Sequence, residues 1–349
     1  MIVTNRTMKY ISLFTGIGGF EVAIHEMFPD AQCLGYSEVK TKAIDVYTVH
    51  FPSHPPLGDI TKITDDTLDA LCEQGVDLLV AGFPCTNLTS LATINGNSDG
   101  LEGPKSGLFY SMLRIIRRVK PTHIVVENNF SMAKRYRTRI DDALRSLMAP
   151  TPVYRRMINA ADFGVQTRKR IFWTTFEVPD FDGERVQTWD DVLEPRDAVL
   201  PFALTDKFVK CLNRPHNKVS KRFMTVGPKN DRGLRACTWA DDGNSRWGNS
   251  MISDTMSTQR WKPYPVGKSR PYISSNGGTN NVLLDRRFDP AEDQVFPRHF
   301  TQLEGERLFH FPDGYTASAR FKTTRINLLG NSVVVGVIRH IMSTLAAVR

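Results

Sequence analysis

Cysteine is scarce in this chain: five among 349 residues, at positions 33, 72, 85, 211 and 237, odd in number and scattered. There is no CxxC pair and no Cys/His cluster, so no zinc or other metal site is expected, and the count argues against a disulfide framework. A reducing cytosol suits such a chain. Long apolar runs are also lacking, so no bilayer-spanning segment and no membrane partner are expected. Residues 1–9 are polar and the apolar run after them soon breaks at Thr15-Gly16, which is not a secretory pattern. The expectation is a cytoplasmic protein, or a nuclear one in a eukaryote. No internal repeat and no low-complexity segment is present. A phosphate loop is excluded too, because no Gly-Lys-Ser/Thr follows the glycine-rich turn near the N-terminus.

What is present suffices for a large core: 41% of the residues are hydrophobic, enough for two units. Net charge is +8, and its distribution says more than its size. Lys207, Lys210, Arg214, Lys218, Lys221, Arg222, Lys229, Arg232 and Arg235 have one acid, Asp231, among them. Lys134, Arg135, Arg137 and Arg139 form a second cluster, and Arg168, Lys169 and Arg170 a third. Such runs are often only solvated faces; three together favour a polyanionic partner.

The first half alternates strand and helix patterns. Strands are expected at 10–14, 33–37, 78–82 and 123–127, and helices at 20–27, 42–50, 107–119 and 139–148. This is the pattern of a doubly wound, mostly parallel α/β sheet. After residue 176 the sequence turns irregular, rich in Gly, Pro, Asn and Trp. Three parts are expected: 1–176 as a catalytic unit, 177–297 as an irregular module, and 298–349 returning to the first unit. The tail carries helix signals at 301–308 and an apolar helix at 332–348.

The turn Phe14-Thr15-Gly16-Ile17-Gly18-Gly19-Phe20 follows the first strand and opens a helix. Its glycines permit a tight turn and close approach of a ligand to bare backbone and to helix-terminal amides. Glu38, about 20 residues on at the end of the second strand, stands where an acid commonly holds ribose hydroxyls, which favours an adenosine-containing cofactor. Asp59, with Ile60 beside it, is either an adenine acceptor or a helix cap.

Leu78–Gly82 empties into Phe83-Pro84-Cys85. Ligands in open α/β sheets sit beyond the carboxyl ends of strands, so Cys85 is a candidate nucleophile, although cysteine is also a common core residue. Glu127 and Asn128 end another central strand. Gln166, Arg168 and Arg170 alternate along a segment before Ile171-Phe172-Trp173 and are expected on one strand face, at an exposed edge or lining an anion- and base-binding cleft.

In order along most of the chain, these segments resemble the cytosine-5 DNA methyltransferases. The cofactor turn, Gly82-Phe83-Pro84-Cys85, Glu127-Asn128, Gln166-x-Arg168-x-Arg170, the segment 298–312 and Gly330-Asn331-Ser332-Val333 carry the likeness. The resemblance implies a Rossmann-like class I methyltransferase domain, with the irregular module as target recognition domain. It implies S-adenosyl-L-methionine as cofactor, held by Phe14, Thr15, Gly16, Gly18, Gly19, Phe20, Glu38, Val39, Asp59, Ile60, Gly82, Pro84, Leu108, Asn331 and Val333. Carbon 5 of cytosine is a poor nucleophile. A thiolate, assigned to Cys85, adds at carbon 6 and makes carbon 5 enamine-like. Glu127, with its carboxyl pKa raised by burial, would protonate or hydrogen-bond ring nitrogen 3. Arg168 would hold the base carbonyl and Asn128 would orient the loop. The target base must leave the stack of double-stranded DNA. Candidate base readers are Arg232, Arg235, Arg246, Arg260 and Lys262, each also readable as a phosphate contact.

Three positions depart from the family pattern. Lys40 replaces an acid after Glu38-Val39; it is read chiefly as solvated, with a role toward a more acidic cofactor as the lesser reading. Asn129 replaces an apolar residue, and Phe309-His310 replaces a common Gln-Gly. Methylation of transfer RNA and a non-catalytic DNA-binding paralogue are the alternatives. A cognate restriction enzyme is a conceivable partner.

Overall fold

The computed structural model describes residues 6–84, 108–166, 168–183, 187–203, 225–229, 235–238, 252–253, 282–285 and 296–349. Two compact units share the chain. The first comprises residues 1–159, 169–183 and 332–349, and the second 160–168 and 184–331.

The first unit is built on a six-stranded sheet: β1 (Lys9–Leu13), β2 (Gln32–Ser37), β3 (Leu78–Gly82), β4 (His123–Asn129), β5 (Tyr154–Asn159) and β6 (Lys169–Thr174), ordered β2-β1-β3-β4-β6-β5. The β1–β2, β1–β3 and β3–β4 pairs are parallel, whereas β6 runs antiparallel to both β4 and β5. The sheet is thus mixed but mostly parallel across its centre. The central strands are continuous apolar runs because both faces are covered. Leu78, Leu79, Val80, Ala81, Ile124, Val125 and Val126 are all fully buried. The register Gly82↔Glu127 and Asn129↔Arg170 brings the end of β3, the end of β4 and the start of β6 to one edge.

Ahead of the chain's last helix, the helices described in this unit are α1 (Gly19–Met27), α2 (Thr41–His50), α3 (Asp65–Gln74), α4 (Leu108–Val119) and α5 (Lys134–Met148). In α4, Phe109, Met112, Ile115, Ile116 and Val119 recur at helical spacing and are buried, each contributing on the order of 2 kcal/mol. The opposite face carries Arg114 and Arg118, which pair with Asp65 and Asp69 of α3. Helix α5 begins at Lys134, five residues before the sequence expectation. Lys and Arg are good helix formers but give no N-terminal signal, and the N-cap Ala133 makes no side-chain bond.

In the second unit, two single turns (Trp189–Val192, Arg196–Val199) precede the antiparallel pair β7 (Thr225–Lys229) and β8 (Arg235–Thr238). A three-stranded sheet follows, of β9 (Ile252–Ser253), β10 (Val282–Asp285) and β11 (Phe296–His299). Then come α6 (Gln302–Leu308) and α7 (Lys322–Gly330). Thr301 opens α6 with a complete capping box, its side chain accepting from the Glu304 N–H while Glu304 accepts from the Thr301 N–H.

The last helix, α8 (Val335–Val348), belongs to the first unit and packs on α1. By composition the stretch Lys322–Val348 is apolar enough to cross a membrane, which the reading of the sequence passed over. The chain breaks it at residues 331–334 into helices of 9 and 14 residues. At 1.5 Å per residue the longer reaches only about 21 Å, short of a hydrocarbon core of about 30 Å.

Candidate active site

The glycine-rich turn leaves β1 through Phe14, whose φ of 59° is rare for a residue with a side chain. The Phe14 N–H donates to the Ser37 carbonyl at 2.8 Å, tying the turn to the end of β2. Gly16 and Gly18 also have positive φ, 57° and 92°. A Cβ at Gly16 would meet nothing within 4 Å, so backbone borders open space there. Glu38 braces this turn. Its Oε2 accepts from the Gly16 N–H at 2.9 Å, and its Oε1 accepts from the Val39 and Lys40 N–H groups at 2.8 and 2.9 Å. Val39 and Lys40 are exposed.

Ser37 donates its hydroxyl to the Gly58 carbonyl at 2.7 Å, which brings Asp59 to the same strand end. Asp59 closes a turn rather than capping a helix: its Oδ1 accepts from the N–H and hydroxyl of Thr61, and those bonds hold its carboxyl below the usual carboxylate range. The helix cap belongs to Thr64, which accepts from the Thr67 N–H. Ile60 beside it is buried.

Gly82 lies between two other residues of the site. A Cβ built on it would stand 3.4 Å from Glu127 Oε2 and 3.9 Å from Phe20 Cε2, in ordinary van der Waals contact with both. Phe20 is buried. Glu127 Oε1 pairs with Arg170 Nε at 2.9 Å, each side chain 13% exposed. The ion pair sets a guanidinium against the carboxyl group expected to face ring nitrogen 3. Asn128 is fully buried; its Nδ2 donates to the Phe83 carbonyl at 2.9 Å and its Oδ1 accepts from the Asn129 N–H. It therefore fixes the chain just before Pro84. Cys85 lies outside the described residues. Leu108, half-buried, opens α4, whose Phe109 ring meets Phe83 at 5.3 Å.

Gln166, Arg168 and Arg170 do not share a strand face, because β6 starts at Lys169. Only Arg170 joins the ladder. Gln166 donates to the Leu308 carbonyl at 2.8 Å, within the second unit. Arg168 donates to the Gly330 carbonyl at 2.9 Å with its guanidinium 5.0 Å over the Phe309 ring, in that same unit. Asn331 is exposed and donates to the Asn327 carbonyl, while Val333 is buried in the first unit. Among the proposed base readers, Arg235 stands in β8, and Arg232, Arg246, Arg260 and Lys262 lie outside the described residues.

Two features escaped the reading of the sequence. Glu21, in the first turn of α1, is fully buried and accepts from the Tyr47 hydroxyl at 3.3 Å. Burial pushes its carboxyl up to about 7. The Tyr47 hydroxyl also lies 2.8 Å from His54 Nδ1, and burial with neighbouring His25 lowers His54 to about 4. An acid one residue after Phe20 reads as helix-terminal, with nothing local to announce its burial. The second is a buried ion pair of Arg298 with Glu304, at 2.7 and 2.8 Å; the Thr-x-x-Glu capping signal was its visible half.

The C-5 cytosine-specific DNA methylase family matches residues 8–347. Type II methyltransferase M.HhaI of Haemophilus parahaemolyticus is 30% identical over 172 residues, 48% of this chain and 49% of that protein, so the chain spans about half the length of this relative. Type II methyltransferase M.NlaX of Neisseria lactamica is 30% identical over 97% of this chain and 96% of its own. Among solved structures, a DNMT2 variant of Spodoptera frugiperda superposes with a TM-score of 0.64 at 19% identity, over 97% of this chain and 100% of that one. With nearly the whole chain matched, this protein belongs to the C-5 cytosine-specific DNA methylase family.

Proposed function

We propose that this protein methylates carbon 5 of a flipped-out cytosine in double-stranded DNA, through a covalent adduct of Cys85. The observation that carries the reading is the carboxyl edge of the sheet. There Gly82 separates Phe20 from the Glu127–Arg170 pair, and Asn128 fixes the chain that leads into Pro84-Cys85. Family membership supports the reaction class.

The residues present fit S-adenosyl-L-methionine: bare backbone borders open space at Gly16, and the Glu38 carboxylate stands beside it. Phe14, Thr15, Gly18, Gly19, Phe20, Asp59, Ile60 and Leu108 complete that side. When bound, the cofactor supplies the methyl group. The Cys85 thiolate adds to carbon 6, breaking the 5,6 double bond and making carbon 5 nucleophilic. Once carbon 5 carries the methyl group, water takes the carbon 5 proton, the 5,6 double bond re-forms and the thiolate is expelled. Glu127, in its carboxylic acid form, donates to ring nitrogen 3, exchanging its Arg170 partner for the base, and Arg168 binds the base carbonyl. The Type II methyltransferase relatives support a bacterial or phage setting in the cytoplasm, beside a cognate restriction enzyme.

The test is nucleoside mass spectrometry on DNA and on transfer RNA, each incubated with the protein and S-adenosyl-L-methionine. The expected result is 5-methylcytosine in DNA, absent with Cys85→Ala and reduced at least a hundredfold with Glu127→Gln. Product in RNA alone would move the protein to the RNA alternative, and undiminished methylation by Cys85→Ala would sink the mechanism.

A further inference from the structure

Phe130 follows β4 at the same sheet edge and is 38% exposed. Lys169, the first residue of β6, holds its Nζ 5.8 Å from the centre of the Phe130 ring. Antiparallel pairing of β6 with β4, Arg170 opposite Asn129, brings the two together. A few residues on, α5 opens with exposed Lys134 and Arg135 and has no acid in its first turn. Cations there face the positive end of the helix macrodipole, an unfavourable placement; Arg135 also donates to the Tyr136 hydroxyl at 2.9 Å and lies 4.7 Å over that ring. Arg137 and Arg139 extend the run, and no acid intervenes before Asp141. Lys169 at the start of β6, with Lys134 and Arg135 at the start of α5 a few residues past Phe130, thus makes a basic ledge with an aromatic ring in it, in the first unit and on the strands that carry the Glu127–Arg170 pair.

We propose that this ledge binds the DNA strand carrying the target cytosine, with a base next to the extruded one stacked on Phe130 and flanking phosphates against Lys169, Lys134 and Arg135. The proposal rests on the DNA reading above and adds which surface grips the strand. Extruding a base unstacks its neighbours, and an exposed ring offers them a replacement surface. A bare phosphate site would need no ring. A protein-docking face would need a wider apolar patch than one phenyl group among cations.

The test measures binding of the full chain to a fluorescent single-stranded oligodeoxynucleotide containing cytosine, by anisotropy over a range of salt. Phe130→Ala is expected to weaken binding about tenfold with an unchanged salt slope, and Phe130→Trp to restore it. Lys134→Ala with Arg135→Ala is expected to lower the salt slope by about 1.4. Thermal melting of each variant should match the parent. Parental affinity in Phe130→Ala together with a parental slope in the double variant overturns the ledge, provided the parent methylates cytosine in DNA. A parent that methylates no DNA cytosine overturns the underlying reading, and the ledge with it.

Discussion

Glu21 sits one residue past Phe20, yet its environment is the opposite of a solvent-facing helix start. Its carboxyl is raised above the value it has in an unfolded chain, so the unfolded chain loses this proton first as pH rises. Stability from this group is therefore intact below about pH 4.5, falls as pH climbs towards 7, and stays reduced above that. Glu21→Gln removes the titration. The difference in Tm, variant minus parent, should grow in favour of the variant from pH 5 to pH 8; a difference that stays flat across that range contradicts the account. His54 works in the other direction, since a lowered histidine opposes protonation of the folded state. Its contribution weakens the fold as pH falls below about 6.5.

At this scale the sequence exposes position better than partnership. Gly82 is legible as a strand end, because an apolar run that stops at Gly declares itself, whereas β4 runs two residues past Glu127 to Asn129. The ion pair of Glu127 with Arg170 is not legible, because it depends on β6 running antiparallel beside β4. Likewise Glu38 was read as a ribose acceptor, and its bond to the Gly16 N–H depends on the fold of the glycine turn.

Among the elements, α6 carries the densest buried polar arrangement described. Glu304 completes the capping box and accepts from both terminal guanidinium nitrogens of Arg298, with neither side chain exposed. Two residues on, Glu306 accepts from the Gly314 and Thr316 N–H groups, the Thr316 hydroxyl and Arg325. Removing one member of such a pair strands a buried charge, at a cost of about 3–5 kcal/mol. Arg298→Met should therefore lower the urea midpoint strongly, and Arg298→Met with Glu304→Gln should lower it less. Equal losses would mean that the pair adds nothing beyond its packing. Helix α6 was visible through Thr301 and Glu304, whose spacing is a local signal. The early start of α5 was hidden because its first turn is basic and uncapped. Antiparallel β5, Tyr154–Asn159, was passed over: several of its side chains are exposed and it has no clean apolar alternation. His310 has a positive φ of 60° just before Phe311-Pro312, a backbone conformation that glycine adopts more readily.

For the whole molecule, the mostly parallel sheet follows from alternating apolar runs and helical segments, and that pattern is readable without a structure. The order β2-β1-β3-β4-β6-β5 is not, since antiparallel β6 at the far side obeys pairing rather than local sequence. The expected boundaries at 176/177 and 297/298 differ from the compact units, which change over at 183/184 and 331/332 and exchange residues 160–168 as well. Composition shifts mark where a chain changes character; packing decides which segment crosses. The +8 net charge and the ledge at Phe130 both suit a polyanion, but the reaction itself is the central claim. It is tested most directly with duplex DNA carrying 5-fluorocytosine at target positions, incubated with S-adenosyl-L-methionine and resolved under denaturing conditions. Fluorine at carbon 5 cannot leave as a proton does, so the thiolate stays attached. The expected product is a protein–DNA adduct whose linkage maps to Cys85 and which Cys85→Ala does not form. An adduct that persists in Cys85→Ala, or none formed on a DNA the parent methylates when it carries ordinary cytosine, would contradict the mechanism.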